Sequence, residues 1–197
     1  MNSRKKFLVA FMIESVVFSS VYLLAFYFNL NIDLVLNASA LIESNVTSLI
    51  YLPHGVSVLV AWLYGFKSIF VLIAVSGLVQ ALPSDSGGFW SISGHNPAIS
   101  MLVLPFVFLT ASRMGLRVRS SVTGFNWRHI MGCGIIGAFL CAAITSLING
   151  SSMTNFAVLS VSAVIGQIVF FLLLLGVFKA RRWFPRTSLT VLKEDAV

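Results

Sequence analysis

The chain has 197 residues, of which 58% are hydrophobic and only 10% are charged. Soluble domains carry about 25% charged residues, so this composition excludes an ordinary soluble domain and indicates an integral membrane protein. The net charge of +7 is spread over several short segments, which disfavours a nucleic-acid-binding surface and is typical of the basic cytoplasmic loops of membrane proteins.

Six apolar segments follow one another along the chain and predict six transmembrane helices. The third and fourth segments are shorter than the roughly 20 residues that a full crossing needs. The sequence therefore predicts an all-α integral membrane protein, a six-helix transmembrane bundle in one domain, 1–180, followed by a cytoplasmic tail, 181–197. The predicted spans are 7–28, 46–65, 69–82, 98–112, 130–148 and 156–178.

Every Lys and Arg of the chain falls on the same side of the membrane in this six-span scheme. Cations near span ends resist translocation and stay cytoplasmic. The predicted outer segments, 30–45, 83–97 and 149–155, contain none. We therefore predict a multi-pass protein of the bacterial inner (plasma) membrane with both termini cytoplasmic. The cations are Arg4, Lys5, Lys6, Lys67, Arg113, Arg117, Arg119, Arg128, Lys179, Arg181, Arg182, Arg186 and Lys193.

Glu14 is the acidic residue of the predicted spans. An ionised side chain inside a membrane costs roughly 3 kcal/mol on insertion scales and usually faces a cavity or a partner. The alternatives are a protonated Glu14, or a side chain that extends to the inner interface. The sequence does not decide whether Glu14 is charged.

The run Leu52-Pro53-His54-Gly55 predicts that the second helix is broken or kinked at Pro53. Proline removes a backbone donor and glycine adds conformational freedom. A broken helix would direct the positive end of a helix dipole into a cavity, where it would favour a polar or anionic ligand beside His54. The alternative, which we prefer, is a simple kink with His54 bonded to a neighbouring carbonyl.

The remaining polar residues of the spans are few, and most fall toward the predicted outer half. They could line an outward-facing pocket with His54, although such residues more often make single interhelical hydrogen bonds of about 0.6 kcal/mol. The candidate ligand-binding residues are Glu14, Pro53, His54, Gly55, Gln80, Asn96 and Gln167.

The fifth span is rich in small residues. Helices in lipid associate where small residues let their backbones approach closely, so we expect this span at the centre of the bundle. The candidate helix-packing residues are Gly132, Gly134, Gly137, Ala138 and Cys141.

Nucleotide-binding, hydrolase and metalloprotease motifs are absent from the sequence, as are paired cysteines of the Cys-x-x-Cys type. We therefore expect a protein that is not an enzyme and that needs no cofactor or metal. The sequence leaves open a haem or pigment site built on a single histidine.

Residues 46–82 contain an apolar residue, Pro53, a polar residue, Gly55, an apolar helix, Gly65, a short basic turn and a second apolar helix. This order resembles the core of MASE1-type membrane sensory regions. The size and the six-span layout resemble the substrate-binding subunits of energy-coupling-factor vitamin transporters. The chain departs from the MASE1 pattern at His54, where a second proline or small residue is usual, and at Gln167, where an acid is usual.

The resemblance implies a free-standing sensory or small-ligand-binding membrane module. Two alternatives stay open, namely an accessory or assembly subunit of a larger membrane complex and a solute-carrier subunit of a transporter. The expected partners are the lipid bilayer, a membrane protein and a small-molecule ligand, but no nucleic acid.

Overall fold

The computed structural model describes residues 3–38, 50–81, 97–115, 127–150 and 152–183. All regular secondary structure in these ranges is helical, so the predicted all-α class is confirmed for them. Six α-helices and one 3-10 turn, Gly65–Lys67, follow in chain order. The helices are α1, Ser3–Ala38; α2, Leu52–Tyr64; α3, Ser68–Ala81; α4, Pro97–Arg113; α5, Trp127–Asn149; and α6, Met153–Trp183.

Four stretches are long and apolar enough to cross a membrane, so the protein is a helical, membrane-embedded protein by length and composition. The helix Ile99–Arg113 is also apolar but shorter. One of the four stretches includes Gly65, whose φ of 55° and ψ of −129° interrupt it. We therefore describe α2 and α3 separately, and the number of crossings stays a prediction. The four stretches are Phe11–Ile32, Leu52–Val75, Trp127–Asn149 and Met153–Ala180.

The largest differences from the predicted spans are the end of the first helix and the start of the second. The first span was predicted to end at residue 28, but α1 continues to Ala38 because neither Pro nor Gly interrupts it. The second span was predicted to begin at residue 46. Its helix begins at Leu52, with Pro53 in the first turn and Tyr51 outside the helix. Pro53 therefore stands at a helix start, where its fixed φ is favourable, rather than at a kink inside a helix.

The centre of the bundle is α2, which packs against each of the other five helices. Nine of its 13 residues are buried. The fifth span was expected at the centre; α5 packs against three helices, α2, α4 and α6, whereas α2 packs against five, so the central position belongs to α2. Small residues let α5 approach its neighbours closely, but they do not by themselves place a helix at the centre.

Two apolar clusters surround α2. The first joins α1, α2 and α3 through side chains such as Phe26, Val56 and Val75. The second joins the C-terminal halves of α2 and α4 to the start of α5 through Ala61, Phe108 and Ile130. The ends of α2 and α4 and the start of α5 therefore lie at one end of the bundle.

This end, which we call the cation end, also carries the cations whose side chains the structure describes. Trp127 packs edge-on against Phe171 with ring centroids 6.1 Å apart, which brings the last turns of α6 to the same end. The exposed cations there are Lys67, Arg113, Arg128 and Lys179. Their grouping at one end agrees with the one-sided distribution of cations expected from the sequence, while the orientation in the membrane stays a prediction.

Candidate functional site

Polar side chains meet around the first turn of α2, inside the bundle. The N–H of Leu52 donates to Asn29 Oδ1 at 3.2 Å, and the N–H of Tyr51 donates to the Ser162 carbonyl at 3.0 Å. The N–H of His54 donates to the Tyr51 carbonyl at 3.2 Å. Unpaired backbone N–H groups at a helix start are costly in a membrane. Here α1 and α6 provide the hydrogen-bond acceptors that water provides in a soluble protein.

The His54 ring reaches from α2 to the backbone of α5. Its Nε2 lies 3.2 Å from the carbonyl oxygen of Gly134, and the side chain is only 1% exposed. A carbonyl oxygen can only accept, so Nε2 carries the hydrogen of this bond. The preferred interpretation of His54, a bond to a neighbouring carbonyl, matches this contact.

Gln167 reaches the same segment of α5 from α6. Its Nε2 donates to the Met131 carbonyl at 3.2 Å and lies 3.3 Å from Met131 Sδ. A carbonyl oxygen can only accept, so the amide is oriented with Nε2 toward the Met131 carbonyl. Gln167 Oε1 is buried without a hydrogen-bond partner among the described residues, and the residue is 0% exposed.

Several side-chain hydroxyl groups lie on the α1 side of this site. Tyr22 forms side-chain hydrogen bonds with Tyr51 and Ser57, and Ser57 Oγ donates to the Pro53 carbonyl at 3.1 Å. We call the buried set the polar core. It consists of Tyr22, Asn29, Tyr51, His54, Ser57, Ser162 and Gln167.

Glycines allow the helices to approach one another at the polar core. A Cβ at Gly134 would collide with the amide of Gln167, and a Cβ at Gly166 would collide with the Tyr51 backbone. A Cβ at Gly55 would lie 2.6 Å from Phe170 Cβ. The positions of His54 and Gln167 therefore depend on the absence of side chains on neighbouring helices.

The structure brings together only some of the predicted ligand-binding residues. Pro53, His54, Gly55 and Gln167 lie at the polar core. Glu14 does not, because it accepts a hydrogen bond from Tyr64 at 2.6 Å at the cation end.

Two further predicted ligand-binding residues fall where the description stops. Gln80 belongs to α3, but its side chain lies outside the described part of the structure. Asn96 lies outside the described residues.

Four of the five predicted helix-packing residues contact a neighbouring helix or are buried, and one does neither. Gly134 contacts Gln167, and a Cβ at Gly137 would collide with Leu104 of α4. Ala138 and Cys141 are buried. Gly132 differs from the prediction, since a Cβ there would meet nothing within 4 Å.

Sequence reasoning missed five members of the polar core, namely Tyr22, Asn29, Tyr51, Ser57 and Ser162. Asn29 was left outside the first span because that span was predicted to end at residue 28. One feature of the sequence could have indicated that Tyr22 and Asn29 belong together. Tyr22 and Asn29 are two helical turns apart and so lie on the same face of α1.

The described residues contain no group of three or more His, Cys, Asp or Glu side chains that could hold a metal ion. Comparison with protein families, with curated proteins and with solved structures finds no match.

Proposed function

We propose that the protein is a non-catalytic membrane module that binds a small polar molecule in the polar core. The observation that carries this proposal is the buried carbonyl oxygen of Gln167, Oε1, which has no hydrogen-bond partner among the described residues. A buried acceptor without a partner costs about 1–3 kcal/mol. A bound molecule that donates a hydrogen bond to this oxygen would remove that cost.

The chemistry of the polar core indicates the class of ligand. Its side chains are hydroxyls, amides and one imidazole, and it contains no Asp, Glu, Lys or Arg. The described cations lie at the cation end, as does Glu14. A small uncharged molecule with an N–H or O–H donor fits these side chains better than an ion does, because the core contains no carboxylate, ammonium or guanidinium group to neutralise a charge.

The start of α2 argues against the anion site that a broken helix would offer. Asn29 Oδ1 and the Tyr51 carbonyl already accept the N–H groups of Leu52 and His54, and Pro53 has none. A helix start whose donors are occupied attracts an anion weakly. The ligand is therefore expected at Gln167 and His54 rather than at the helix start.

The resemblance of residues 46–82 to MASE1-type regions supports a sensory role for this binding. In the same proposal the chain crosses a bacterial inner membrane six times, with both termini cytoplasmic. A sensor of this kind would pass ligand occupancy from α5 and α6 through α2 to the cation end, where a cytoplasmic or membrane partner could contact the basic surface.

Mass spectrometry of small molecules released from the purified protein tests the proposal, together with thermal stabilisation by small amides, polyols and purines. The wild-type protein is expected to retain or be stabilised by such a molecule, and Gln167→Met is expected to lose this response. Thr145→Ala is the matched control, since Thr145 is a buried polar residue of α5 outside the polar core. Equal ligand responses in wild type and Gln167→Met would contradict the site. No retained molecule and no stabilisation would contradict the function.

A second candidate, an accessory subunit of a membrane complex, is favoured by the exposed apolar faces of α3 and α4. Phe70, Leu102 and Phe106 are each more than 60% exposed, and the described α3, with 14 residues, is only about 21 Å long. A partner helix could cover this surface where lipid fits poorly. Native mass spectrometry from mild detergent discriminates between the two candidate functions. A chain that is always free of other polypeptides would contradict the accessory subunit.

A further inference from the structure

The exposed cations of the cation end come from four different elements and lie around one apolar cluster. They are Lys67 of the 3-10 turn, Arg113 of α4, Arg128 of α5 and Lys179 of α6. Side chains that form this cluster or pack against it lie at most five residues from each cation along the chain. These side chains are Trp62, Ala111, Ile130 and Leu174. The cations therefore share one surface, although they are far apart in the sequence.

Little negative charge offsets these cations within the described residues. Glu14 is the carboxylate that the described part of the chain places at this end, and it accepts the hydrogen bond of Tyr64. The first turn of α5 contains no acidic residue, so the helix dipole adds a partial positive charge to that of Arg128. Arg113 differs, because it lies in the last turn of α4, where the dipole favours a cation. The surface is therefore positively charged, and most strongly beside Arg128.

A large apolar side chain stands next to each of these cations in the chain and is exposed as well. These neighbours are Phe66, Met114, Trp127 and Phe178, which are 64%, 76%, 37% and 56% exposed. A soluble anion would cover the cations and leave these side chains in water, whereas a lipid with an anionic headgroup would cover both. Tryptophan is also favoured where headgroups and acyl chains meet. The alternation of cation and apolar side chain therefore fits an anionic amphiphile better than a soluble anion.

We propose that the cation end binds an anionic phospholipid. The guanidinium groups of Arg113 and Arg128 donate hydrogen bonds to its phosphate, and an acyl chain packs against Met114 and Trp127. A zwitterionic lipid binds more weakly, because it brings a cationic group to a surface that is already positively charged. This surface is separate from the polar core, so the proposal does not depend on the proposed ligand there. It also holds whichever side of the membrane the cation end faces.

Native mass spectrometry of the delipidated full chain, titrated with dioleoylphosphatidylglycerol and with zwitterionic dioleoylphosphatidylcholine, tests this proposal. The wild-type protein is expected to bind the anionic lipid about tenfold more tightly, since each cation near an anionic headgroup contributes about fivefold. The double variant Arg113→Gln, Arg128→Gln should bind both lipids equally. Arg113→Lys, Arg128→Lys is the matched control, which keeps both charges and should keep most of the preference. A double glutamine variant that retains the full preference would overturn the proposed contact.

Two exposed methionines at opposite ends of the bundle test the apolar half of the surface. Met114→Gln should weaken binding of the anionic lipid about threefold, whereas Met153→Gln, at the first residue of α6, should bind it as wild type does. Equal binding by the two variants would overturn the acyl-chain contact. Inorganic phosphate and hexaglutamate, added as competitors at the same concentration as the lipid, are expected to leave the lipid bound. Displacement by phosphate would show a simple anion site, and displacement by hexaglutamate an acidic polypeptide site, and either would overturn the lipid.

Discussion

His54 and Gln167 meet the backbone of α5 about one turn apart. His54 Nε2 lies 3.2 Å from the Gly134 carbonyl, and Gln167 Nε2 donates to the Met131 carbonyl at 3.2 Å. The two side chains come from α2 and α6, so both of these helices contact the backbone of the same stretch of α5. A change in either hydrogen bond alters how α2 and α6 pack, which connects the proposed ligand site to the central helix.

Replacing Gly134 with Ala is expected to destabilise the protein by about 1 kcal/mol, because the new methyl group would push the Gln167 amide, the end of a flexible side chain, away from its hydrogen bond to Met131. Gly132→Ala is the control on the same helix. A Cβ there meets open space, and alanine favours the helix by roughly 1 kcal/mol, so this variant should be as stable as wild type or more stable. Unfolding by SDS in mixed micelles measures both, and equal stability of the two variants would contradict the predicted contact.

Gln167→Met is expected to leave the ligand-free protein as stable as wild type, or up to about 1 kcal/mol more stable. The substitution loses one hydrogen bond to Met131, but it also removes the unpaired Oε1. Ligand-dependent stabilisation should disappear in the same variant. A large loss of stability without ligand would show that the main role of Gln167 is to stabilise the packing of α6 against α5.

Asn29→Leu is expected to cost about 1–2 kcal/mol, because it removes the acceptor for the Leu52 N–H at the buried start of α2. Asn31→Leu is the matched control on α1. Asn31 is exposed and its Nδ2 donates to the Tyr27 carbonyl of its own helix at 2.7 Å, so its replacement should change stability by less than about 0.5 kcal/mol. The two SDS unfolding midpoints should separate clearly, and coinciding midpoints would count against a capping role for Asn29.

Substitutions of Glu14 and Tyr64 are expected to have weakly coupled effects on the free energy of unfolding. Tyr64 donates to Glu14 Oε2 at 2.6 Å, while Phe11 and Phe18 pack edge-on against its ring. Tyr64→Phe keeps the ring and removes the hydroxyl, so we expect a coupling of about 0.5–1.5 kcal/mol with Glu14→Gln. A double-mutant cycle by SDS unfolding measures it. Additive effects would mean that Tyr64 contributes to the contact between α1 and α2 through the packing of its ring and not through its hydrogen bond to Glu14.

The orientation can be tested with single cysteines in a Cys133→Ala, Cys141→Ala background. Met114 lies at the cation end and Ser152 at the opposite end, and both are exposed. A membrane-impermeant maleimide added to intact cells should label the Ser152→Cys variant, whereas Met114→Cys should react only after permeabilisation. The reverse pattern would contradict the orientation derived from the cations.

The sequence by itself determined that the protein is helical and membrane-embedded, because apolar length and scarce charge depend only on residue order. It also singled out Pro53, His54 and Gln167, because polar residues and proline stand out in apolar spans. It could not show that Pro53 begins a helix, since that depends on the hydrogen bond between Asn29 and Leu52, which joins distant parts of the chain.

Only the tertiary structure decided which helix is central and which polar residues share a site. Glu14 and His54 look equivalent in the sequence, yet Glu14 lies with Tyr64 at the cation end while His54 contacts Gly134. The same holds for Gly132 and Gly134, which are two residues apart on one helix: Gly134 faces Gln167, whereas a Cβ at Gly132 would meet nothing within 4 Å. Periodicity predicts the faces of a helix, but the neighbour that each face contacts is set by packing among all the helices.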